Sequence, residues 1–100
     1  MITLINKVTV VGDRDAFDRA QKDIEEFMHA QPGALRFQLL QAADHPDQFV
    51  EVAEWQSREH HLKAVQNPDF MSRAKALREH AEFERQSYSV LRLEVRSPVD

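Results

Sequence analysis

The sequence contains no cysteine and only two glycines among its 100 residues. Without cysteine, the chain has no disulfide bond, no thiolate metal ligand and no cysteine nucleophile. With so little glycine, it also lacks a glycine-rich phosphate loop and a dinucleotide-binding fingerprint. Packing and hydrogen bonds must therefore stabilise the fold, which suits a reducing cytoplasm. We expect a cytoplasmic protein without a nucleotide cofactor.

Long apolar runs and concentrated positive charge are missing as well. No segment approaches the ~18–20 apolar residues that span a bilayer, and the N-terminus does not resemble a signal peptide. Acidic residues outnumber basic ones by 17 to 13, and the arginines are scattered from Arg14 to Arg96. Because nucleic-acid binding needs a concentrated positive face, we expect neither a nucleic-acid nor a membrane partner.

The apolar residues follow two periodicities along the chain. Alternation and β-branched residues favour strands over residues 2–11, 34–42, 48–56 and 87–95, the last with Leu91, Leu93 and Val95 on one face. Helical spacing predicts helices over 15–30 and on both sides of Asn67-Pro68, the second carrying Phe70, Ala74, Leu77 and Ala81. Asp13 or Asp15 is expected to cap the first helix, and residues 44–47 are expected to form a turn.

This order of elements predicts the fold class. Strand, helix, strand, strand, helix pair, strand is the split βαβ order of ferredoxin-like α+β domains. We expect one domain over residues 1–100, with a four-stranded antiparallel sheet and helices on one face. Several strands are apolar on both faces, as at Leu4 and Ile5 and at Phe49 and Val50. Since an uncovered sheet face is rarely so apolar, we predict a homodimer packed sheet against sheet.

Two polar residues interrupt the apolar strand faces. Asn6 does so in the first strand and Glu51 in the third, and Trp55 shares the face of Glu51 because strand side chains alternate. If these faces meet the helices, they form an apolar pocket with two polar groups and an indole. A carboxylate buried there favours its neutral form, so Glu51 would exchange protons near neutral pH.

Simpler interpretations of the same three residues remain open. Asn6 could be exposed or bonded to neighbouring backbone, and Trp55 could be an ordinary core residue. Glu51 could face solvent, or pair with Arg36 or Lys7 across the sheet. The sequence alone does not decide between these interpretations and a pocket.

The five histidines do not form a metal-binding pattern. The adjacent His60 and His61 would point about 100° apart on a helix. No His pair has i, i+4 spacing, and no His has a partner at zinc-site spacing. We therefore expect no metal, and we expect His61 to lie beside the mouth of the pocket.

Several segments resemble the antibiotic biosynthesis monooxygenase family. They are FVEVAEW at 49–55, Gln56-Ser57-Arg58-Glu59, Asn67-Pro68-Asp69-Phe70, the first strand ITLINKVTV, and QPGALRFQLLQ. Within the family, the chain is most similar to cofactor-independent anthrone oxygenases of aromatic polyketide pathways. The resemblance implies a dimeric α+β barrel with a pocket in each subunit. It also implies oxidation of an anthrone-like ring to a quinone by dioxygen, without flavin, metal or haem.

The resemblance also implies roles for particular residues. Those oxygenases work with a first-strand Asn, a Trp, and an Asn four residues before the Trp. Asn6 and Trp55 match, whereas Glu51 stands in place of the second Asn, either as a base or as the sign of another reaction such as ring cyclisation. We predict catalytic roles for these three residues. Substrate contacts are predicted for His61, Phe27, Phe49 and Phe70.

Other activities occur on the same fold. Haem-degrading relatives resemble the chain around Asn6, but they need a second Trp and a His on the helices after Trp55. Ala64 and a residue near Ala74 stand there instead, which disfavours haem degradation, while quinol oxidation stays open. The main alternatives to an anthrone oxygenase are a polyketide cyclase and a non-catalytic small-molecule-binding protein. Oxygen dependence distinguishes the first two, and a pocket blocked by side chains would favour the third.

Overall fold

The computed structural model describes residues 1–99, and Asp100 lies outside the described residues. The elements are β1 (Ile2–Val10), α1 (Arg14–His29), β2 (Ala34–Ala42), β3 (His45–Trp55), α2 (Arg58–Gln66), α3 (Pro68–Arg78) and β4 (Ala81–Tyr88). The four strands form an antiparallel sheet in the spatial order β2-β3-β1-β4. This arrangement confirms the ferredoxin-like α+β prediction. No helix in residues 1–99 is long and apolar enough to cross a membrane.

Side-chain caps set where the three helices begin. The Asp13 carboxylate accepts a hydrogen bond from the Ala16 N–H at 2.9 Å, so Asp13 rather than Asp15 caps α1. Ser57 Oγ accepts from the His60 N–H at 3.2 Å and thereby caps α2. Asn67 caps α3, where Pro68 occupies the first turn and needs no N–H partner. The predicted break at residues 67–68 is therefore confirmed.

Gly33 makes the connection between α1 and β2 possible. Its φ angle of 88° lies in the left-handed region that side chains disfavour. A Cβ atom there would also overlap the His60 ring on α2. The Gly33 carbonyl accepts a hydrogen bond from the Gln56 N–H at 2.8 Å, which holds the start of β2 beside the end of β3.

The core lies between the helices and one face of the sheet. One cluster joins Val8, Val10 and Phe49 of this face to helix residues that include Phe17 and Leu77. A second cluster holds three buried residues, Leu4, Trp55 and Ala64. On β1, the residue between the two clusters on this face is Asn6, and it is paired with Glu51 of β3. The candidate site therefore lies where the sheet changes from one apolar cluster to the other.

Two predicted boundaries near the ends of strands are wrong. The final strand is β4 at Ala81–Tyr88 rather than 87–95, and Ala81 belongs to it rather than to the preceding helix. β4 pairs along β1 until Tyr88 reaches Thr3, one residue from the first residue of β1. Residues beyond that point have no strand left to pair with, and Leu91 and Val95 are 86% and 84% exposed.

The second wrong boundary concerns the turn before β3. The predicted turn at 44–47 is shorter, because Ala42 pairs with His45 and β3 begins at His45. The turn itself consists of Ala43 and Asp44. A two-residue connection lets both strands pair up to the turn, as is common in β-hairpins.

Candidate active site

A cavity of about 610 Å³ lies between the sheet and the helices. This volume is within the ordinary range for small-molecule sites, roughly 300–1,000 Å³. Apolar side chains from β1, β3, α1 and α3 form much of its wall. The residues that matter most for chemistry are Asn6, Glu25, Glu51, Trp55, His61 and Arg85.

Three polar side chains form a row across the sheet at one edge of the cavity. The strand register places Asn6 of β1 directly beside Glu51 of β3 on one side and Arg85 of β4 on the other. Paired residues on adjacent strands project to the same face, so all three line the cavity. Within residues 1–99 Arg85 forms no ion pair, which leaves its positive charge available to an anion in the cavity.

The carboxyl group of Glu51 is poised to exchange protons at neutral pH. Burial raises the pKa of Glu51 to about 7, and the negative charge of Glu25 contributes further. The neighbouring amides of Asn6 and Gln21 act in the opposite direction and lower this pKa. A carboxyl group with such a pKa is suited to general acid–base work.

The simpler interpretations of Asn6 and Glu51 do not describe this structure. Arg36 pairs with Glu54 at 3.7 Å rather than with Glu51, and Lys7, one position along β1 from Asn6, projects to the other sheet face. The Oδ1 atom of Asn6 is buried and has no hydrogen-bond partner within the described chain. Since buried polar atoms are nearly always bonded, this oxygen is available to a donor group on a ligand.

Trp55 and His61 form the aromatic end of the cavity. Their ring centroids are 5.4 Å apart and the rings meet edge to face at 68°. Both residues are buried, with exposed fractions of 3% for Trp55 and 7% for His61. Burial and the nearby Arg85 charge lower the pKa of His61 to about 4. His61 is therefore neutral at physiological pH, with one ring nitrogen as a hydrogen-bond donor and the other as an acceptor.

The structure brings most of the predicted site residues to one cavity. Asn6, Glu51, Trp55, His61 and Phe70 line it, whereas Phe27 and Phe49 do not. Phe49 is stacked on Phe17 with 5.5 Å between ring centroids and lies under the Arg14 guanidinium. The Arg73 guanidinium covers the Phe27 ring at 4.7 Å. Periodicity places these two rings on apolar faces but cannot tell core from cavity wall.

Sequence reasoning missed three polar residues near Glu51. Arg85 lay outside the strand predicted at 87–95, so nothing indicated that it faced Asn6. Gln21 and Glu25 lie on α1, where the stripe that includes Phe17 and Ile24 runs past both positions. Gln21 lies four residues after Phe17 and three before Ile24, so it is a polar residue on an apolar helix stripe. That position was the sequence signal that could have identified it as a site residue. Among residues 1–99, no three His, Asp or Glu side chains converge to hold a metal ion.

Comparison with known proteins identifies the family to which a chain with this fold and cavity belongs. The family model described as antibiotic biosynthesis monooxygenase matches residues 1–85, and the chain belongs to that family. Deoxynogalonate monooxygenase of Streptomyces nogalater is 31% identical over 77 residues, which are 77% of this chain. The match spans 65% of that relative's length, just under two thirds.

Solved structures show the same relationship. SnoaB, a cofactor-independent oxygenase from Streptomyces nogalater, superposes with a TM-score of 0.88 and 27% identity. The match covers 92% of this chain and 94% of that one. A conserved protein from Methanosarcina mazei Go1 shares the fold, with a TM-score of 0.80, 19% identity, and coverage of 87% of this chain and 89% of that one.

Proposed function

We propose that this protein is a cofactor-independent monooxygenase that oxidises an anthrone-like aromatic polyketide to a quinone with dioxygen. The observation that carries the proposal is the Glu51 carboxyl group, whose pKa is raised to about 7 in a cavity large enough for a small fused-ring compound. The similarity to a cofactor-independent oxygenase and to deoxynogalonate monooxygenase supports the reaction type.

Different residues of the cavity have different roles in such a reaction. Glu51 removes a proton from the substrate, and the electron pair stays on the ring system as an enolate-like anion. Asn6, through its amide N–H groups, and the exposed Arg85, through its positive charge, stabilise that anion, because donors and charges already in place need no reorganisation as negative charge develops. Trp55 positions the rings through edge or face contacts, and neutral His61 offers one further hydrogen bond.

The electrons for the oxidation come from the substrate anion. It passes them to dioxygen, and a carbon–oxygen bond forms to give a hydroperoxide at the former methylene carbon. The remaining hydrogen at that carbon leaves as a proton, the oxygen–oxygen bond breaks, and one oxygen atom departs as water. One anthrone and one dioxygen thus give one quinone and one water.

Dioxygen uptake with the anthrone dithranol tests the proposal, with chelator present and no cofactor added. We expect uptake above the spontaneous rate with one quinone formed per dioxygen. Trp55→Phe should lower kcat/KM about tenfold, the effect of losing roughly one aromatic contact. The matched control is Tyr88→Phe, at the end of β4 and away from the cavity, which should behave as wild type.

Two results would count against the oxygenase, and a third would count against the role of Trp55. Binding of dithranol without uptake would favour the cyclase, if a poly-β-ketone substrate is then closed to a ring in the absence of dioxygen. Binding with neither reaction would favour the small-molecule-binding protein, although the open cavity does not favour it. If Trp55→Phe leaves the rate of dioxygen uptake unchanged, Trp55 has no role in the reaction.

We also propose that the protein is a homodimer joined through the sheet face opposite the cavity. On that face Val50 and Leu40 are neighbours across β2 and β3, and Leu40 is 49% exposed. Leu91 and Val95 of the C-terminal segment are almost fully exposed as well. Exposed apolar surface of this extent is typical of an interaction site.

Sedimentation at micromolar concentration should therefore give twice the 11.6 kDa mass of one chain. Leu40→Lys should shift the protein to monomer, because it places a charge in the proposed interface. Leu62→Lys is the matched control, since Leu62 on α2 is similarly exposed at 41% but lies away from the sheet. A wild-type protein that sediments as a monomer would contradict the dimer.

A further inference from the structure

Gln21 is a buried polar residue that packing alone does not explain. Its exposed fraction is 2%, and neither its amide nitrogen nor its amide oxygen has a hydrogen-bond partner within residues 1–99. Because an unpartnered buried amide costs free energy, the side chain is expected to serve another purpose. Its position beside the two carboxyl groups described next indicates what that purpose is.

Gln21 stands between two glutamates from different elements. Glu25 follows it by one turn on α1, so both side chains project from the same side of the helix. Glu51 approaches from β3. The Gln21 amide lies close enough to both carboxyl groups to lower their pKa values, although it forms no well-aligned hydrogen bond with either. Both glutamates line the cavity, while Gln21 lies behind them. The three residues therefore form one cluster that joins the helix to the sheet.

The two carboxyl groups interact and differ in their access to water. The charge of Glu25 raises the pKa of Glu51, and burial raises the pKa of Glu25 itself. The charge of Glu25 therefore acts directly on the titration of Glu51. Glu25 is the more accessible of the two, because less of the protein surrounds its carboxyl group than surrounds that of Glu51.

We propose that Glu25 and Glu51 form a proton-relay pair, in which Glu51 accepts the substrate proton, Glu25 releases it to solvent, and Gln21 positions both carboxyl groups. The relay rests on the proposed function, since it assumes that Glu51 deprotonates the substrate. In the first step a substrate C–H or O–H bond breaks and its electron pair stays on the substrate. The proton then moves from Glu51 to Glu25, directly or through one water, and from there to bulk water.

Other charged or titratable groups also face this part of the cavity. They are His29 of α1, Arg36 of β2, Glu54 of β3, His61 of α2, Arg78 of α3 and Arg85 of β4. Glu54 is engaged with Arg36, and the lowered pKa of His61 keeps it neutral above about pH 4. None of these six groups contributes to the pKa shift of Glu51, whereas the charge of Glu25 raises it.

Carboxyl ¹³C NMR titration of the protein tests the pair without relying on activity. Glu25→Gln should lower the Glu51 midpoint by about one pH unit, because a like charge is removed. Gln21→Leu should raise the midpoint by roughly half a unit, because an amide that favours the carboxylate is lost. The matched control is Glu26→Gln, which removes the same charge from the exposed side of α1 and should leave Glu51 unchanged.

Protein stability separates a positioning role for Gln21 from a structural one. If Gln21 only supported the fold, Gln21→Leu would lower the free energy of unfolding. Below about pH 4.5, where Glu51 is protonated in both the folded and the unfolded chain, we expect it to be unchanged or higher, since an unpartnered amide is removed. Above pH 7 it should fall by an amount set by the raised Glu51 midpoint. A Glu51 midpoint that neither Glu25→Gln nor Gln21→Leu moves would overturn the proposal.

Anaerobic proton exchange tests the transfer step itself. In D₂O without dioxygen, wild type should exchange the methylene protons of dithranol for deuterium, which requires proton transfer but no oxidation. Glu25→Gln should slow this exchange several-fold, and added formate should restore it by replacing the missing carboxylate. Exchange that is absent in wild type, or unaffected by Glu25→Gln, would overturn the relay. Normal exchange without dioxygen uptake would instead show that the oxygenase proposal had failed.

Discussion

Glu51→Gln is expected to lower the kcat of dioxygen uptake by about 100-fold or more, the usual contribution of a general base. Glutamine keeps the shape of the side chain but cannot accept a proton at neutral pH. The KM for the anthrone should change much less, because the aromatic contacts with Trp55 and Phe70 remain. An oxygen electrode measures both constants across pH 5–9.

The pH profile gives the same prediction a second readout. Wild-type kcat/KM should fall on the acidic side of about pH 7, where Glu51 becomes protonated. This limb should be missing from the residual activity of Glu51→Gln. Glu59→Gln removes a carboxylate from the first turn of α2, outside the cavity, and should leave both constants unchanged. Full activity in Glu51→Gln would assign the base to another group.

Glu51 and His61 are expected to give stability opposite dependences on pH. The pKa of Glu51 rises from 4.5 to about 7 on folding. Its burial therefore costs nothing below pH 4.5 and destabilises the fold by up to ~3 kcal/mol above pH 7. The pKa of His61 falls from 6.5 to about 4. Its contribution is fully present above pH 6.5 and is lost as the pH falls towards 4.

These two dependences should nearly cancel in the wild type between pH 4.5 and 6.5. Urea unfolding across this range should give a shallow curve for wild type. In Glu51→Gln the free energy of unfolding should fall as the pH decreases, because the contribution of His61 is no longer offset by that of Glu51. In His61→Phe it should rise over the same interval. The test is the slope of the free energy of unfolding against pH. A substitution that only changes packing shifts the stability by the same amount at every pH and leaves this slope unchanged.

The two predictions together describe a conflict between stability and function. Above pH 7 Glu51→Gln should be more stable than wild type and almost inactive. This combination is expected where a buried ionisable group is kept for chemistry rather than for the fold. Parallel stability curves for wild type and Glu51→Gln would show instead that Glu51 is well solvated when folded.

Much of the fold could be predicted from local patterns. Helix starts at Asp13, Ser57 and Asn67 follow from side chains that bond to backbone within three residues, so a short window of sequence contains the whole signal. The face shared by Glu51 and Trp55 follows from the two-residue period of a strand. These features hold whatever the rest of the chain does.

The position of β4 shows where local patterns fail. Apolar and polar residues alternate over 90–95 as they do in a half-buried strand, whereas residues 81–88 are mostly polar. Pairing with β1 nevertheless selects Ala81–Tyr88, because backbone hydrogen bonds need a neighbour and β1 offers one only as far as Thr3. The misplaced strand also concealed Arg85, which completes the polar row beside Asn6.

The sequence by itself determined the order of elements, the helix caps, and the strand faces that carry Asn6, Glu51 and Trp55. Each of these depends on residues a few positions apart. Only the tertiary structure decided that Asn6 lies between Glu51 and Arg85, and that Gln21 and Glu25 approach the same carboxyl group. Strand register and helix docking set those contacts. The pKa of Glu51 follows from them, because burial and nearby charge are properties of the assembled fold.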